Sequence, residues 1–322
     1  MARTYGAQIV VIVLGMVNQH LEFTRGSTTV TKPSQLNVQT YTEKWTILAL
    51  SGKLSIMARK KFQGQVAIIT GGSRGLGLAT AELFAQAGAA VVLTARNEGQ
   101  VAAEAARLSQ SGAQVIGIPA DMADLEQVAK VVDMTLDRFR RVDILVNNAA
   151  TVWPVDEVVE ADPEEWAYGI HVNLVGPFYM AHCVLPTMLE QKSGRIINVS
   201  SGLGHLPYAG LSAYGAAKAG LDQLTRILAL ELKNTGVAVN ALYPGLLNTE
   251  MQADLRSVDT TESVLDLNMF HEAYETGKIA SPSTAARMIY WLSGPWSKQR
   301  NGEIFTSRDQ AWVTQVERDL GA

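Results

Sequence analysis

Val66-Ala67-Ile68-Ile69-Thr70-Gly71-Gly72-Ser73-Arg74-Gly75-Leu76-Gly77 is a short apolar run that breaks into glycines and then opens a helical pattern. A continuous β-branched run without alternation reads as a strand buried on both faces. Glycine in the turn that follows permits positive φ and close approach of a ligand to the backbone. The helix behind it would offer free N–H groups and the positive end of its dipole to an anion such as a pyrophosphate. Tight packing alone could account for such glycines. Their position, after the first buried strand and at the start of a βαβ unit, favours a dinucleotide site. The Gly-Lys-Ser/Thr ending of a P-loop is absent.

Downstream, strand-like runs alternate with longer helical patterns. The strands expected are Val66–Thr70, Ala90–Thr94, Gln114–Ile118, Asp143–Val146, Arg195–Val199, Ala238–Leu242 and Glu303–Phe305. Between them lie helices expected at Leu76–Ala87, Gln100–Ser109, Leu125–Phe139, Pro163–Leu189, Ala213–Leu232 and Pro282–Leu292. This alternation means βαβ units and a parallel sheet covered on both faces. Right-handed crossovers then leave an α/β, doubly wound, mostly parallel sheet of the Rossmann kind as the economical fold. No linker or composition break interrupts it, so a single domain is expected.

The chain's 322 residues exceed what one such domain usually needs, roughly 200–250 residues. A composition of 47% hydrophobic and 18% charged residues excludes a disordered chain, a collagen and a coiled coil. The net charge of −4 gives no footprint for nucleic acid. Cys183 is the only cysteine, which excludes an internal disulfide, and the five histidines show no metal-ligand spacing, so no metal is expected. Residues 1–56 carry five basic and two acidic side chains, against a net −7 for residues 57–322. The division expected is therefore an N-terminal extension over 1–56 and one folded domain over 57–322. The extension reads as a poorly ordered segment, an organelle leader or a start assigned upstream of Met57. Its apolar run, Ala7 to Val17, is eleven residues, short of the ~20 that cross a bilayer. No membrane span is expected, and the location expected is cytoplasmic unless residues 1–56 act as an organelle address.

The second strand ends at Thr94-Ala95-Arg96. About 20 residues past the glycine turn, a carboxylate would grip the ribose 2′-hydroxyl of NAD. Ala95 stands there instead, with Arg96 next to it and Arg74 inside the glycine turn. Guanidiniums can hold a 2′-phosphate by bidentate hydrogen bonds that a carboxylate would oppose, so NADP is favoured over NAD.

Tyr214 and Lys218 are four residues apart at the start of a helical stretch and share one face. A free phenol, with its pKa near ~10, is a poor proton donor at neutrality, and a neighbouring ammonium can lower it. Ser201 lies thirteen residues earlier, just past the strand Arg195–Val199, at the end of the sheet where ligands bind. Each feature alone is ordinary; their company is what points to chemistry.

With these motifs the sequence resembles the short-chain dehydrogenase/reductase family, in its shorter single-domain branch, over residues 62–322. The resemblance rests on Thr70-Gly-Gly-Ser-Arg-Gly-Leu-Gly77, Asn147-Asn148-Ala149, Asn173, Ser201, Tyr214-x-x-x-Lys218 and Pro244-Gly245-x-x-x-Thr249. It implies that Tyr214 is the general acid or base in hydride transfer between a nicotinamide and a carbonyl. Lys218 would hold the nicotinamide ribose and depress the tyrosine pKa. Ser201 would bind the substrate oxygen, and Asn173 would position a water in the proton relay. For the cofactor it implies Gly71, Ser73, Gly75, Leu76 and Gly77 at the pyrophosphate, with Arg74 and Arg96 toward the 2′-phosphate. Asp121 would meet the adenine, Asn148 the adenosine ribose, and Leu247 and Thr249 the carboxamide. One departure is Ala150, where the family carries glycine; if that position needs positive φ, alanine there is strained.

The segment between Thr249 and Pro282 has no strand character, and the resemblance implies that it covers the substrate. Its Met251, Leu255, Val264, Leu265, Leu267, Met269 and Phe270, with Trp153, Leu206 and Tyr208, suggest a small hydrophobic ketone or alcohol; each could equally pack the lid onto the core. Small residues at Gly215, Ala216, Ala217, Ala219 and Gly220 would allow close helix contact, and the resemblance implies a homodimer or homotetramer. The alternative to an enzyme is a catalytically silent dinucleotide-binding sensor or scaffold of the same fold.

Overall fold

The computed structural model describes residues 61–259 and 265–321. The extension over 1–56, the start at Met57 and Val264 lie outside them. The first strand, β1 (Val66–Thr70), pairs with β2 (Ala90–Ala95) on one side and β4 (Ile144–Asn147) on the other. With β3 (Val115–Pro119), β5 (Gly194–Val199), β6 (Val237–Tyr243) and β7 (Ile304–Thr306), they form one sheet in the order β3-β2-β1-β4-β5-β6-β7. Every neighbouring pair is parallel, and Ile68 lies between Val92 and Leu145. The expected strands are all present, shifted by a residue or so at their ends.

Helices cover both faces, and strand alternation assigns residues to each. Ala67, Ile69, Val91 and Leu93 pack under α1 (Gly75–Gln86), α2 (Glu98–Ser109), α9 (Pro282–Ser293) and α10 (Gln310–Leu320). Ile68, Val92, Leu145 and Ile196 pack under α3 (Leu125–Phe139), α5 (Gly176–Gln191) and α6 (Ser212–Glu231). Local chemistry sets several starts: Asp124 accepts from the backbone of Glu126 and Gln127, and Asp162 does the same for Glu164 and Glu165 ahead of Pro163. A third apolar cluster joins Leu255, Leu265, Leu267 and Phe270 to Val152, Val155 and Leu211. It fastens the segment after β6, in which α7 (Glu250–Arg256) and α8 (Asn268–Glu275) are two short helices.

Two departures from expectation have physical reasons. The helix expected over Pro163–Leu189 is α4 (Pro163–Ile170), a π-type turn at His171–Val175, then α5. Pro177 has no N–H, so the carbonyl of Asn173 cannot receive the ordinary helical bond there, and the ladder takes a wider turn. The stretch Pro163–Gln191 is also long and apolar enough by composition to cross a membrane. Met180, Ala181, Val184 and Met188 are nevertheless buried against the sheet, as in a core helix. The second departure is α10, whose Trp312 and Val316 pack on Trp291 and Phe305. Its charged exterior hid a 3.6-residue apolar stripe.

Candidate active site

The strand order reverses between β1 and β4, where open α/β sheets bind ligands at the carboxyl ends of the strands. A cleft of about 1330 Å³ opens there, running from Arg96 and Asp121 past the glycine turn to Tyr214 and on to α7 and α8. Gly71 and Gly75 have φ of +63° and +56°. A Cβ on Gly77 would lie 2.2 Å from the carbonyl oxygen of Gly71, so that position admits no side chain. Arg74 starts α1 without a side-chain cap, and no acid stands in the first turn, which leaves its N–H groups for an anion. Thr70 fixes the turn: its Oγ1 accepts from the backbone N–H of Asn148 and Ala149, at 3.0 and 2.9 Å. Asn148 Nδ2 in return donates to the carbonyls of Thr70 and Gly71. This cradle fits the pyrophosphate of a dinucleotide. Ala150, which lines the cleft, is not among the residues with positive φ, so the strain considered for it does not arise.

Tyr214 and Lys218 project from the first turns of α6, and Ser201 follows β5 at the start of a one-turn 3-10 helix (Gly202–Gly204). All three line the cleft. Ser201 Oγ accepts from the N–H of Leu203 at 3.2 Å. Lys218 is 2% exposed and donates to the carbonyl of Val199 at 2.9 Å. Burial brings its pKa down to about 8, against the opposing pull of the Asp222 carboxylate. Burial pushes the Tyr214 phenol up, with the Ser201 hydrogen bond pulling it back. The Lys218 Nζ lies 5.5 Å from the Tyr214 ring centroid.

Asn173 is fully buried in the π-type turn. Its Oδ1 accepts from Thr151 N–H, while Nδ2 donates to the carbonyls of Thr151 and Gly169, at 2.7 and 2.9 Å. The side chain is thus spent on bracing the loop after β4, and its main-chain carbonyl is the group that Pro177 deprives of a helical partner.

At the far end of the cleft, Arg96 Nη1 donates to the hydroxyl of Tyr168 at 2.9 Å, and that hydroxyl donates to Asp121 Oδ2 at 2.8 Å. Arg74 is held differently: its guanidinium pairs with Glu250, the first residue of α7. It lines the cleft but is committed toward the lid. Leu247 and Thr249 line the cleft beside Gly75, whose missing Cβ would stand 3.3 Å from the Thr249 methyl. Leu206, Met251, Leu255, Met269 and Phe270 line its substrate end. Tyr208 stacks edge-on with Phe270 and donates to the carbonyl of Asp266, while Leu265 and Leu267 are buried in the lid, so these three pack the lid. Trp153 does not line the cleft.

Sequence reading missed Tyr168, Glu250 and a buried carboxylate, Asp222, with its neighbours Tyr243 and His205. Asp222 had a signal, one helical turn beyond Lys218 on the same face. Tyr168 had none, since it reaches Arg96 across 72 residues of chain.

A dinucleotide cradle at the switch point and a serine–tyrosine–lysine group beside it define a nicotinamide-dependent oxidoreductase site. The family model for the short chain dehydrogenases matches residues 65–260. The BbsD subunit of a hydroxy(phenyl)methyl-succinyl-CoA dehydrogenase of Thauera aromatica is 36% identical over 244 residues, 75% of this chain and 94% of that protein. A 3-oxoacyl-(acyl-carrier-protein) reductase FabG of Vibrio cholerae is 34% identical over 241 residues, covering 75% and 94%. A crystal structure of an actinorhodin polyketide ketoreductase variant with NADPH shares the fold at a TM-score of 0.70 and 29% identity, covering 75% of this chain and 95% of that one. The chain belongs to the short-chain dehydrogenase/reductase family and is an NAD(P)-dependent oxidoreductase acting on CH–OH groups.

Proposed function

We propose that the protein is an NADP(H)-dependent reductase that interconverts a ketone and a secondary alcohol, with Tyr214 as the general acid in reduction and the general base in oxidation. The observation that carries this is the meeting of Ser201, Tyr214 and Lys218 in one cleft with the glycine cradle. Gly71, Ser73, Gly75, Leu76 and Gly77 would hold the pyrophosphate, Arg96, Asp121 and Asn148 the adenosine end, and Leu247, Thr249 and Lys218 the nicotinamide end. When bound, the dinucleotide supplies the hydride. Tyr214 donates its phenolic proton to the substrate oxygen as charge develops there. Ser201 Oγ accepts from Leu203, which leaves its own O–H to donate to that oxygen. Lys218, with a pKa of about 8, is mostly an ammonium at neutral pH and favours the phenolate that remains. The Asn173 carbonyl would accept from a water that returns the proton.

Arg96, held by Tyr168, and the absence of a carboxylate at Ala95 support NADP over NAD. The NADPH named with the actinorhodin ketoreductase supports the same choice. The apolar wall of Leu206, Met251, Leu255 and Phe270 supports a hydrophobic substrate, and the names of relatives that act on 3-oxoacyl groups support a ketone. Exposed Phe178 and Leu189 on α5 and Ile227 and Leu230 on α6 support a homodimer or homotetramer. Two of the small residues of α6 also serve the chain itself: Gly220 makes room for Leu174, and Gly215 for the carbonyl of Leu203.

The test is NADPH oxidation across a panel of ketones, with Tyr214→Phe alongside. The variant is expected to bind NADPH and to lose turnover by about 10²–10⁴-fold; unchanged turnover overturns the mechanism. The division at Met57 and a cytoplasmic location belong to the same proposal. A chain begun at Met57 should turn over ketones as the full chain does, and fluorescence microscopy of both forms tests residues 1–56 as an address.

A further inference from the structure

The substrate end of the cleft holds polar atoms that the mechanism does not use. Arg256 and Gln252 are one turn apart on α7, and both line the cleft. The guanidinium of Arg256 lies over the ring of Tyr274 on α8, 4.1 Å from its centroid. Its Nη1 is nevertheless buried without a hydrogen-bond partner, and so is Oε1 of Gln252. A buried guanidinium nitrogen left unpaired is costly, and such a group in a native structure calls for an explanation. A guanidinium seated on an aromatic ring can still offer two parallel N–H bonds to a carboxylate. Met251 and Leu255, on the same short helix, pack in one apolar cluster with Tyr214, so α7 reaches the reacting end of the cleft.

We propose that Arg256 receives a carboxylate of the substrate, so that the protein acts on oxo acids and hydroxy acids in their free form. Gln252, one turn earlier, would add a second donor through its Nε2, its unpaired Oε1 being an acceptor that a carboxylate does not meet, and Met251, Leu255, Met269 and Phe270 line the path along the carbon chain between carboxylate and carbonyl. The carboxylate takes no part in the reduction. This specificity rests on the ketone–alcohol reading given above.

The test uses 3-oxo acids of increasing chain length, each paired with its methyl ester, with NADPH and the full chain. The acid is expected to exceed its ester in kcat/KM, and Arg256→Gln is expected to cut the acid-to-ester ratio by about 10–100-fold, as for hydrogen bonds to a charged group. The loss should appear in KM for the acid, and Arg256→Lys should recover part of it. Calorimetric titration of octanoate and octanamide onto the NADPH complex makes the same comparison without turnover. Tighter binding of octanoate that is lost in Arg256→Gln is expected. A ratio near one in the unaltered protein, or equal binding of the two octanoyl ligands, overturns the carboxylate assignment. Turnover of esters but not acids overturns it and leaves the ketone reading standing; turnover of neither overturns both.

Discussion

Asp222, fully buried on α6, accepts a hydrogen bond from the hydroxyl of Tyr243 at the end of β6, and His205 Nε2 lies 3.3 Å from the same carboxylate oxygen. One side chain thus ties the helix of Tyr214 and Lys218 to the loop of Ser201 and to the strand that leads into Leu247 and Thr249. Burial, and then the Asp222 carboxylate, push the Tyr243 phenol far above its ordinary range, so it stays a donor. Tyr243→Phe should leave a buried carboxylate short of a donor and lower unfolding stability by about 1–3 kcal/mol. Urea denaturation measures it, and an unchanged midpoint would contradict the tie.

Tyr168 orients Arg96 by a hydrogen bond on one side and answers to Asp121 on the other. Tyr168→Phe should therefore weaken NADPH more than NADH, reducing the affinity ratio by about tenfold, the worth of one charged hydrogen bond. Fluorescence titration of both dinucleotides reads this directly. Arg96→Ala should abolish the preference, and a preference for NADP that survives Arg96→Ala would refute the assignment of that residue.

Gly77→Ala should be far more damaging than Gly202→Ala. The first would set a methyl 2.2 Å from a backbone oxygen and 2.6 Å from Asn148 Nδ2; the second meets nothing within 4 Å. Overpacking of this kind costs about 1–3 kcal/mol or more, whereas an unobstructed position changes stability by about 0.5 kcal/mol or less. Thermal unfolding of the two variants, followed by NADPH titration, would show both the loss of stability and the distortion of the cradle.

The Lys218 amine, brought down to about 8 by burial, binds its proton less tightly in the folded chain than in the unfolded one. Between about 8 and the unfolded value near ~10.4 the unfolded chain holds more protons, so this group's contribution to stability rises with pH across that window. Below about 8 the penalty of burying the charge is present in full. Relative to the protein itself, Lys218→Met should be more stable at pH 7 than at pH 10, by up to about 3 kcal/mol. Paired chemical denaturation at the two pH values tests it; a difference that does not move with pH would mean that the buried charge carries no such penalty.

The sheet was legible because Val66–Thr70 and its neighbours are buried on both faces and carry unbroken apolar runs. Tyr214 and Lys218 were legible because helical spacing alone puts them together. The different partners of Arg74 and Arg96 were not. Both are arginines beside the same turn, and only folding brings Glu250 to one and Tyr168 to the other. The bracing by Asn173 was not legible: its side chain reaches Thr151 only in the fold, and only Pro177 four residues on hints that its carbonyl differs from its neighbours.

The wide turn at His171–Val175 also sets a phase. It inserts extra chain into a helix that otherwise advances by about 100° per residue. The two halves therefore keep separate bearings: Gly169 and Asn173 face the cleft loops, while Met180, Val184 and Met188 face the sheet. Shortening the turn by a single residue would swing the sheet-facing stripe of α5 sideways out of the core or pull Asn173 from its socket. The length of that turn is therefore as much a determinant of the site as the identity of any residue within it.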